Sequence, residues 1–346
     1  MDELDEVAAG FRSSRGLAGK ASIGLVTEVL GGTDWLSGPG DDTAVVACGA
    51  EQILVAGEAI WPPLVSADPF GAGVAAVVAN VNDVAAMGGR PLALVDHVTA
   101  PEAVARRVLE GIRHAAGIYR VPVVGGHLTI WDGDPSVSAS IVGSVTQPLS
   151  STRVAAGQVC LLAACLAGRL RGDFPIFTSI EERTAELGDD VRLLADLADE
   201  GLVAAAKDVS MAGILGSLAM LLEPSGCGAR VDLAAIPKPP QMAIAAWTAV
   251  FPTYGFLLTA DPRHADAVRD GFEERGLACS VLGPVDGTGR LRATLEGRDA
   301  ELLDLRTQVV TGLSTARPAV AAGSTSSGAD GPGSPSGPPP GSTPGI

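Results

Sequence analysis

The sequence predicts a mixed α/β fold built as two consecutive units and followed by an unfolded tail. Three observations carry this expectation. Apolar residues make up 47% of the 346 residues and charged residues 18%, the balance of a chain that forms a core, and the length suits two domains or one large one. Short β-branched runs alternate with Ala-rich stretches of helical length. At 147–157 the run QPLSSTRVAAG, polar and rich in small residues, interrupts that alternation.

The first residues, MDELDEVAAGFRSSRG, are acidic at first, then amphipathic, and lack the apolar core of a signal peptide. The following SSRGLAGKAS, 13–22, reads as flexible and basic. TAVVAC (43–48) and QILVA (52–56) read as paired strands around a Gly-Ala-Glu turn. Residues 71–87 form an Ala/Val helix stopped by Gly88-Gly89 and Pro91. A strand over 92–98 and a helix over 101–119, with Pro at its start, come next. Residues 121–124 read as a short buried strand running into a Gly125-Gly126 turn, and 136–146 alternates as a strand. The second unit has strands over 158–164, 229–233, 254–260 and 278–283, with helices over 189–200, 211–222 and 264–275. From 328 to 346, 12 of 19 residues are Gly or Pro, too few side chains to offset the entropy of ordering. These signals divide the chain into an N-terminal segment (1–35), two α/β units (36–150 and 151–315) and a disordered tail (316–346).

The net charge of −16 argues against nucleic-acid backbones and anionic membranes as partners, and no uncharged apolar run is long enough to span a bilayer. The five cysteines (Cys48, Cys160, Cys165, Cys227 and Cys279) form no CxxC and have no His at ligand spacing. They read as reduced thiols of a cytoplasmic protein, not as a zinc site or a disulfide framework.

Four stretches offer chemistry. GPGDDTAVV, 38–46, places Asp41 and Asp42 side by side with nothing basic within nine residues on either side. Two unneutralised acids at the head of a strand suit a hard cation such as Mg²⁺, although Asp and Gly also make ordinary turns. In ANVNDVAAMGGRP, 79–91, Asn80 and Asp83 share a helix face and need partners once buried. In VPVVGGHLT, 121–129, Gly125 and Gly126 permit close approach of a ligand to the backbone, and His127 is a candidate contact or a structural histidine. In AAAKDVSMAG, 204–213, Asp208 is either a helix N-cap or a carboxylate that joins the first unit's acids. Lys20 is a candidate phosphate contact or a plain surface lysine. No GxxxxGK[ST] and no strand-borne GxGxxG are present, which excludes a P-loop and disfavours a dinucleotide fold.

Together and in this order, GDDTAVV, NDVAAMGGRP, VVGGHLT and KDVSMAG resemble the superfamily of aminoimidazole ribonucleotide (AIR) synthetase, thiamine-monophosphate kinase, selenophosphate synthetase and the hydrogenase-maturation dehydratase. The likeness covers 36–295. Ile60-Trp61-Pro62 and AIPKPP (235–240) are similar to an AIR-synthetase-related branch. The resemblance implies a PurM-like two-domain α/β (α+β) fold and a homodimer joined through a shared β-barrel. It also implies ATP held with Mg²⁺ by acidic side chains, with a small molecule as substrate. Residue by residue it maps Asp41 and Asp42 onto the first acidic pair, Asp83 onto the helix aspartate and Asp208 onto the second-domain aspartate. The chain departs from the selenophosphate synthetases in having no Cys before Lys20, from the kinases in having His127 in place of an acid and no acid in FPTYGFLLT (251–259), and from the second-domain motif in having Met211 in place of Asp. The expectation is therefore an ATP- and Mg²⁺-dependent phosphoryl-transfer or synthetase enzyme. Asn80 would orient a ligand or a phosphate. The alternative is a dimeric nucleotide or metabolite binder that does not turn its ligand over.

Overall fold

The structure, a computed structural model, describes residues 2–30, 38–172 and 174–313. The expected boundary at 35/36 and the tail over 316–346 lie outside the described residues. Three short helices begin the chain, α1 (Glu3–Arg12), α2 (Arg15–Lys20) and α3 (Gly24–Leu30). The first half continues with β1 (Ala44–Cys48), β2 (Glu51–Ala59), α4 (Pro62–Ala67), α5 (Pro69–Ala86), β3 (Arg90–Ala100), α6 (Glu102–Tyr119), β4 (Val123–Ile130) and β5 (Ser136–Val145). The second half holds β6 (Val159–Ala164), β7 (Arg169–Leu170), β8 (Ile176–Thr178), α7 (Leu187–Asp190), α8 (Leu193–Asp199), β9 (Ala205–Asp208) and α9 (Gly213–Leu222). It ends with β10 (Gly228–Asp232), α10 (Ile244–Thr248), β11 (Phe251–Pro252), β12 (Gly255–Ala260), α11 (Ala265–Glu273), β13 (Ala278–Asp286), β14 (Arg290–Leu295) and β15 (Arg298–Asp304).

Two large mixed sheets result. The first has the order β1-β2-β5-β3-β4 and is antiparallel except for β3 and β4, which run parallel across the α6 crossover. The second has the order β15-β14-β10-β13-β6-β12-β9, and β11, β8 and β7 form a small third sheet.

α5 and α6 cover one face of the first sheet, and that helical layer packs against the second half in one core. The alternation along the second sheet explains why. Leu161 and Ala163 of β6 and Phe256 and Leu258 of β12 point into the core shared with the first half. Their neighbours Cys160, Leu162 and Leu257 point to the opposite face, against α9, α10 and α1. The first helix therefore packs with the second half, through Leu4, Val7, Ala8 and Phe11. Because the core is continuous across the two halves, the described residues between 2 and 313 make one compact unit.

α5 positions the site. Asp68 caps its start by accepting from the Gly71 N–H at 2.9 Å, and Pro69 occupies the first turn. Arg171 of the second half donates to the same carboxylate at 2.7 Å. The helix stops where Gly88 takes a φ of +70°, a conformation that favours glycine. Of the described helices, α5 is long and apolar enough to cross a bilayer, yet 72% of it is buried inside the protein.

Several sequence expectations change. The 13–22 stretch is helical because Ser14 caps α2, and Leu17 packs on the second core. The Gly125-Gly126 pair is not a turn: β4 runs straight through it, held by parallel pairing to β3. Nor is that strand buried, since it is the sheet edge and every residue of it is exposed. The expected helix over 189–200 breaks into α7 and α8. The five cysteines are free.

Phe256→Ala empties a fully buried site in the shared core. The expected cost is about 3–5 kcal/mol. In urea titrations followed by tryptophan fluorescence and far-UV circular dichroism, both signals should move together to lower denaturant.

Candidate functional site

Three elements far apart in sequence meet where the halves join. The loop before β1 brings Asp42, the last turn of α5 brings Asp83, and the end of β9 brings Asp208. One carboxylate oxygen from each lies within 4.8 Å of the others. The loop is held from outside itself. The Gly38 N–H donates to Ser150 Oγ at 3.3 Å, and Gly40 has a φ of +89° with Pro224 Cγ 2.9 Å from where a Cβ would stand. No side chain larger than hydrogen fits there without displacing Pro224.

Lys207 completes the cluster. Its buried ammonium donates to Asp42 Oδ1 and lies 3.9 Å from Asp208 Oδ1. The Asp208 N–H donates to the other Asp42 oxygen at 3.1 Å, so Asp42 is fixed at both oxygens. Burial by itself lowers the Lys207 pKa. The charges of Asp42 and Asp208 and the hydrogen bond to Asp42 outweigh it and hold the ammonium above the usual lysine range. Asp83 is held well above the ordinary carboxylate range, first by burial and then by Asp208, Asp42 and Glu58. Asp208 is pushed up to about 7 by burial and Asp42, against the opposing charges of Lys207 and Lys20.

Three carboxylates facing one ammonium leave two negative charges uncompensated when all ionise. Asp83 Oδ2 is buried without a hydrogen-bond partner among the described residues. An all-oxygen donor set with that residual charge and an orphaned oxygen fits a hard divalent cation such as Mg²⁺. A soft metal would require sulfur or nitrogen ligands that are absent from the cluster.

The other predicted residues fall elsewhere. Asp41 is not among the converging carboxylates: its Oδ1 accepts from the Ser151 N–H at 2.7 Å and from Ser151 Oγ at 2.5 Å, which ties the loop to the start of the second half, while its Oδ2 is buried without a partner among the described residues. Asn80 is fully buried and donates to the carbonyls of Ala76 and Ala139, at 2.8 and 3.2 Å, joining α5 to β5. Gly125, Gly126 and His127 lie on β4, at the opposite sheet edge from β1. Four strand spacings make that roughly 19 Å. Lys20, on α2, is within electrostatic reach of Asp208 and Glu58 at the rim. Asp208 caps no helix, since α9 begins at Gly213 with no side-chain cap.

Sequence reasoning missed Lys207 and Glu58 as members of the site. A lysine beside an aspartate within an otherwise apolar strand was a signal for the first. Glu58 lies on an exposed stretch of β2 and has no such signal.

Family models match two stretches of the chain. AIR synthase related protein, N-terminal domain, covers residues 40–145, and AIR synthase related protein, C-terminal domain, covers 179–296. An uncharacterized protein of Synechocystis sp. is 34% identical over 278 residues, 79% of this chain and 86% of that protein. Phosphoribosylformylglycinamidine synthase subunit PurL of Haloarcula marismortui is 29% identical over 285 residues, 73% of this chain but 40% of that subunit. Among solved structures, T. maritima PurL complexed with AMPPCP has a TM-score of 0.70 at 20% identity, covering 87% of this chain and 50% of that one. The chain thus spans less than half the length of curated PurL subunits such as that of Haloarcula marismortui.

A raised carboxyl binds protons in the folded protein that the unfolded chain has already released, so stability falls as pH rises through that interval. For Asp208 the interval runs from the ordinary value of 3.8 to about 7. Denaturant titrations in chelator should show metal-free protein losing stability across it, and Asp208→Asn should flatten the loss.

Proposed function

Since this chain belongs to the AIR synthase related protein family, we propose that it is an ATP- and Mg²⁺-dependent enzyme. Its reaction is phosphoryl transfer, or ATP-driven synthesis, on a small metabolite. The observation that carries this reading is the buried convergence of Asp42, Asp83 and Asp208 around a single ammonium. Likeness of the fold to a PurL solved with AMPPCP supports a nucleotide as the ligand.

In this reading Asp42, Asp83 and Asp208 hold the cation. When bound, it neutralises phosphate oxygens and holds them for in-line attack. Lys207 and the Asp208 N–H each bond one Asp42 oxygen and so fix its orientation. Lys20 at the rim is the ammonium placed to meet a phosphate. Asp41 acts one step removed, by anchoring the loop that carries Asp42.

The engagement of Asp41 with Ser151 favours a second reading, because it leaves three converging carboxylates where the family resemblance implies four. Under that reading the protein binds nucleotide without turnover, and release of ADP or AMP above background distinguishes the two.

A homodimer is part of the proposal. The face of the first sheet opposite α5 and α6 exposes Val46, Val55 and Val142 on its strands, an apolar surface of the kind that marks an interface. His127 and its register partner His97 are both exposed on this sheet, so His127 and Gly125 enter the site reading only through that paired surface.

Mg²⁺-ATP is expected to raise the melting temperature, corresponding to about 2.7 kcal/mol at a hundredfold excess over Kd. ATP in chelator should give far less, and Asp83→Ala should abolish the response. A stabilisation that survives Asp83→Ala removes the ligand assignment. Light scattering should give twice the chain mass of 34.8 kDa, and Val142→Asp should return it to the single-chain value.

A further inference from the structure

On the helix side of the first sheet, between α6 and the edge strand β4, a cavity of about 540 Å³ opens to solvent. That volume suits a small metabolite. Leu109, Ile112 and Val121 supply an apolar wall, and Asp96, Arg113 and Arg120 also line it.

Asp96 stands out by its position. On β3 the residues facing the helices are Leu94, Asp96, Val98 and Ala100, all buried, so one carboxylate interrupts an apolar row. It is 8% exposed, and no side chain among the described residues donates to it; the hydrogen bond it accepts comes from its own main-chain N–H. Burial raises its pKa, and its own N–H and the charge of His97 oppose that rise without cancelling it. The neighbouring strand makes room for it only because position 126 is glycine. A Cβ there would stand 2.4 Å from the Asp96 carbonyl oxygen and 2.5 Å from its Oδ1. Gly126, which the sequence points to as a ligand-admitting glycine, is thus required by the main-chain carbonyl and the carboxylate of Asp96 together.

Arg113 is the complementary oddity. Arg106 and Arg107 on the same helix pair with Glu102 and Glu110. Arg113 has no carboxylate in ion-pair reach among the described residues. Arg120 is engaged by Asp189. The cavity therefore offers one unpaired buried acid and one unpaired guanidinium beside an apolar wall.

This cavity is separate from the carboxylate centre. Glu58 of β2, Ala139 of β5, Asp96 of β3 and Gly126 of β4 form one register row across the sheet. Asp96 is two strand spacings from Glu58, roughly 10 Å. Asn80 of α5 bonds the Ala139 carbonyl between them.

We propose that the cavity binds a small zwitterion, its ammonium held by Asp96 and its carboxylate or phosphate by Arg113. The wall accepts an aliphatic or ring body. A buried carboxylate without a partner is costly, and an ammonium removes that cost while Arg113 orients the other end.

The test is isothermal titration of the full-length protein with α-, β- and γ-amino acids and with phosphoethanolamine. These probes vary the spacing between the charges and separate a carboxylate from a phosphate as the anion. At least one should bind saturably at one site per chain. Asp96→Asn and Arg113→Ala should each weaken it by about tenfold or more, the loss of a charge-assisted hydrogen bond. Asp83→Ala should leave it unchanged, which separates this site from the nucleotide reading. Absence of binding by every probe overturns the proposal, as does affinity that survives either substitution. So does affinity lost in Asp83→Ala. Should Asp96→Asn fail to fold, the surface variant Arg113→Ala decides alone.

Discussion

Mutual repulsion among buried carboxylates is the constraint around which this molecule is arranged. Asp42, Asp83 and Asp208 approach within 4.8 Å of one another. At an effective dielectric near 20, each ionised pair at that separation costs about 3–4 kcal/mol. Lys207 offsets part of this from within the same cluster, and protonation of Asp83 and Asp208 offsets more. A structure that tolerates such a cluster must hold its members rigidly, since any loosening would let them separate into water.

The rigidity comes from the way the halves are joined. Each acid is anchored by something outside its own element. The Asp42 loop is pinned through Ser150 and Ser151, α5 is capped by Asp68 under Arg171, and β9 pairs with β12 in the second sheet. Asn82, next to Asp83, donates across the junction to the Thr253 carbonyl at 3.0 Å. The shared core makes these ties cooperative, because residues of β6 and β12 face the helices of the first half. The charged centre thus sits on packed apolar surface and is not suspended between independently moving domains.

Most of the architecture was legible in the chain. The α5 helix is written in its Ala/Val run and its glycine stop, and the structure differs from the sequence boundary by two residues at the start, where Pro69 opens the first turn, and by one at the end. β1, β5, β6 and β12 were visible as β-branched or alternating runs for the same local reason. Gly125-Gly126 misled, because glycine pairs are commoner in turns than in strands. Here parallel pairing to β3 and the space demanded by Asp96 overrode that preference. The α2 helix was hidden by glycines and serines that favour loops. Its stability comes from the Ser14 cap and from contact with the second core, neither of which is a local property.

For the site, the sequence alone determined which residue types were out of place: adjacent acids without a nearby base, an asparagine and an aspartate in an apolar helix, and an aspartate at the end of an apolar run. Such residues need partners once buried, and that requirement is readable without coordinates. Only the tertiary structure decided who the partners are. It set Lys207 against Asp42, turned Asp41 to Ser151, gave Asn80 to the backbone of β5 and carried His127 to the far sheet edge. The physical reason is that a side chain's need for a partner is local, whereas the partner's identity depends on which distant strands and helices the shared core brings into register.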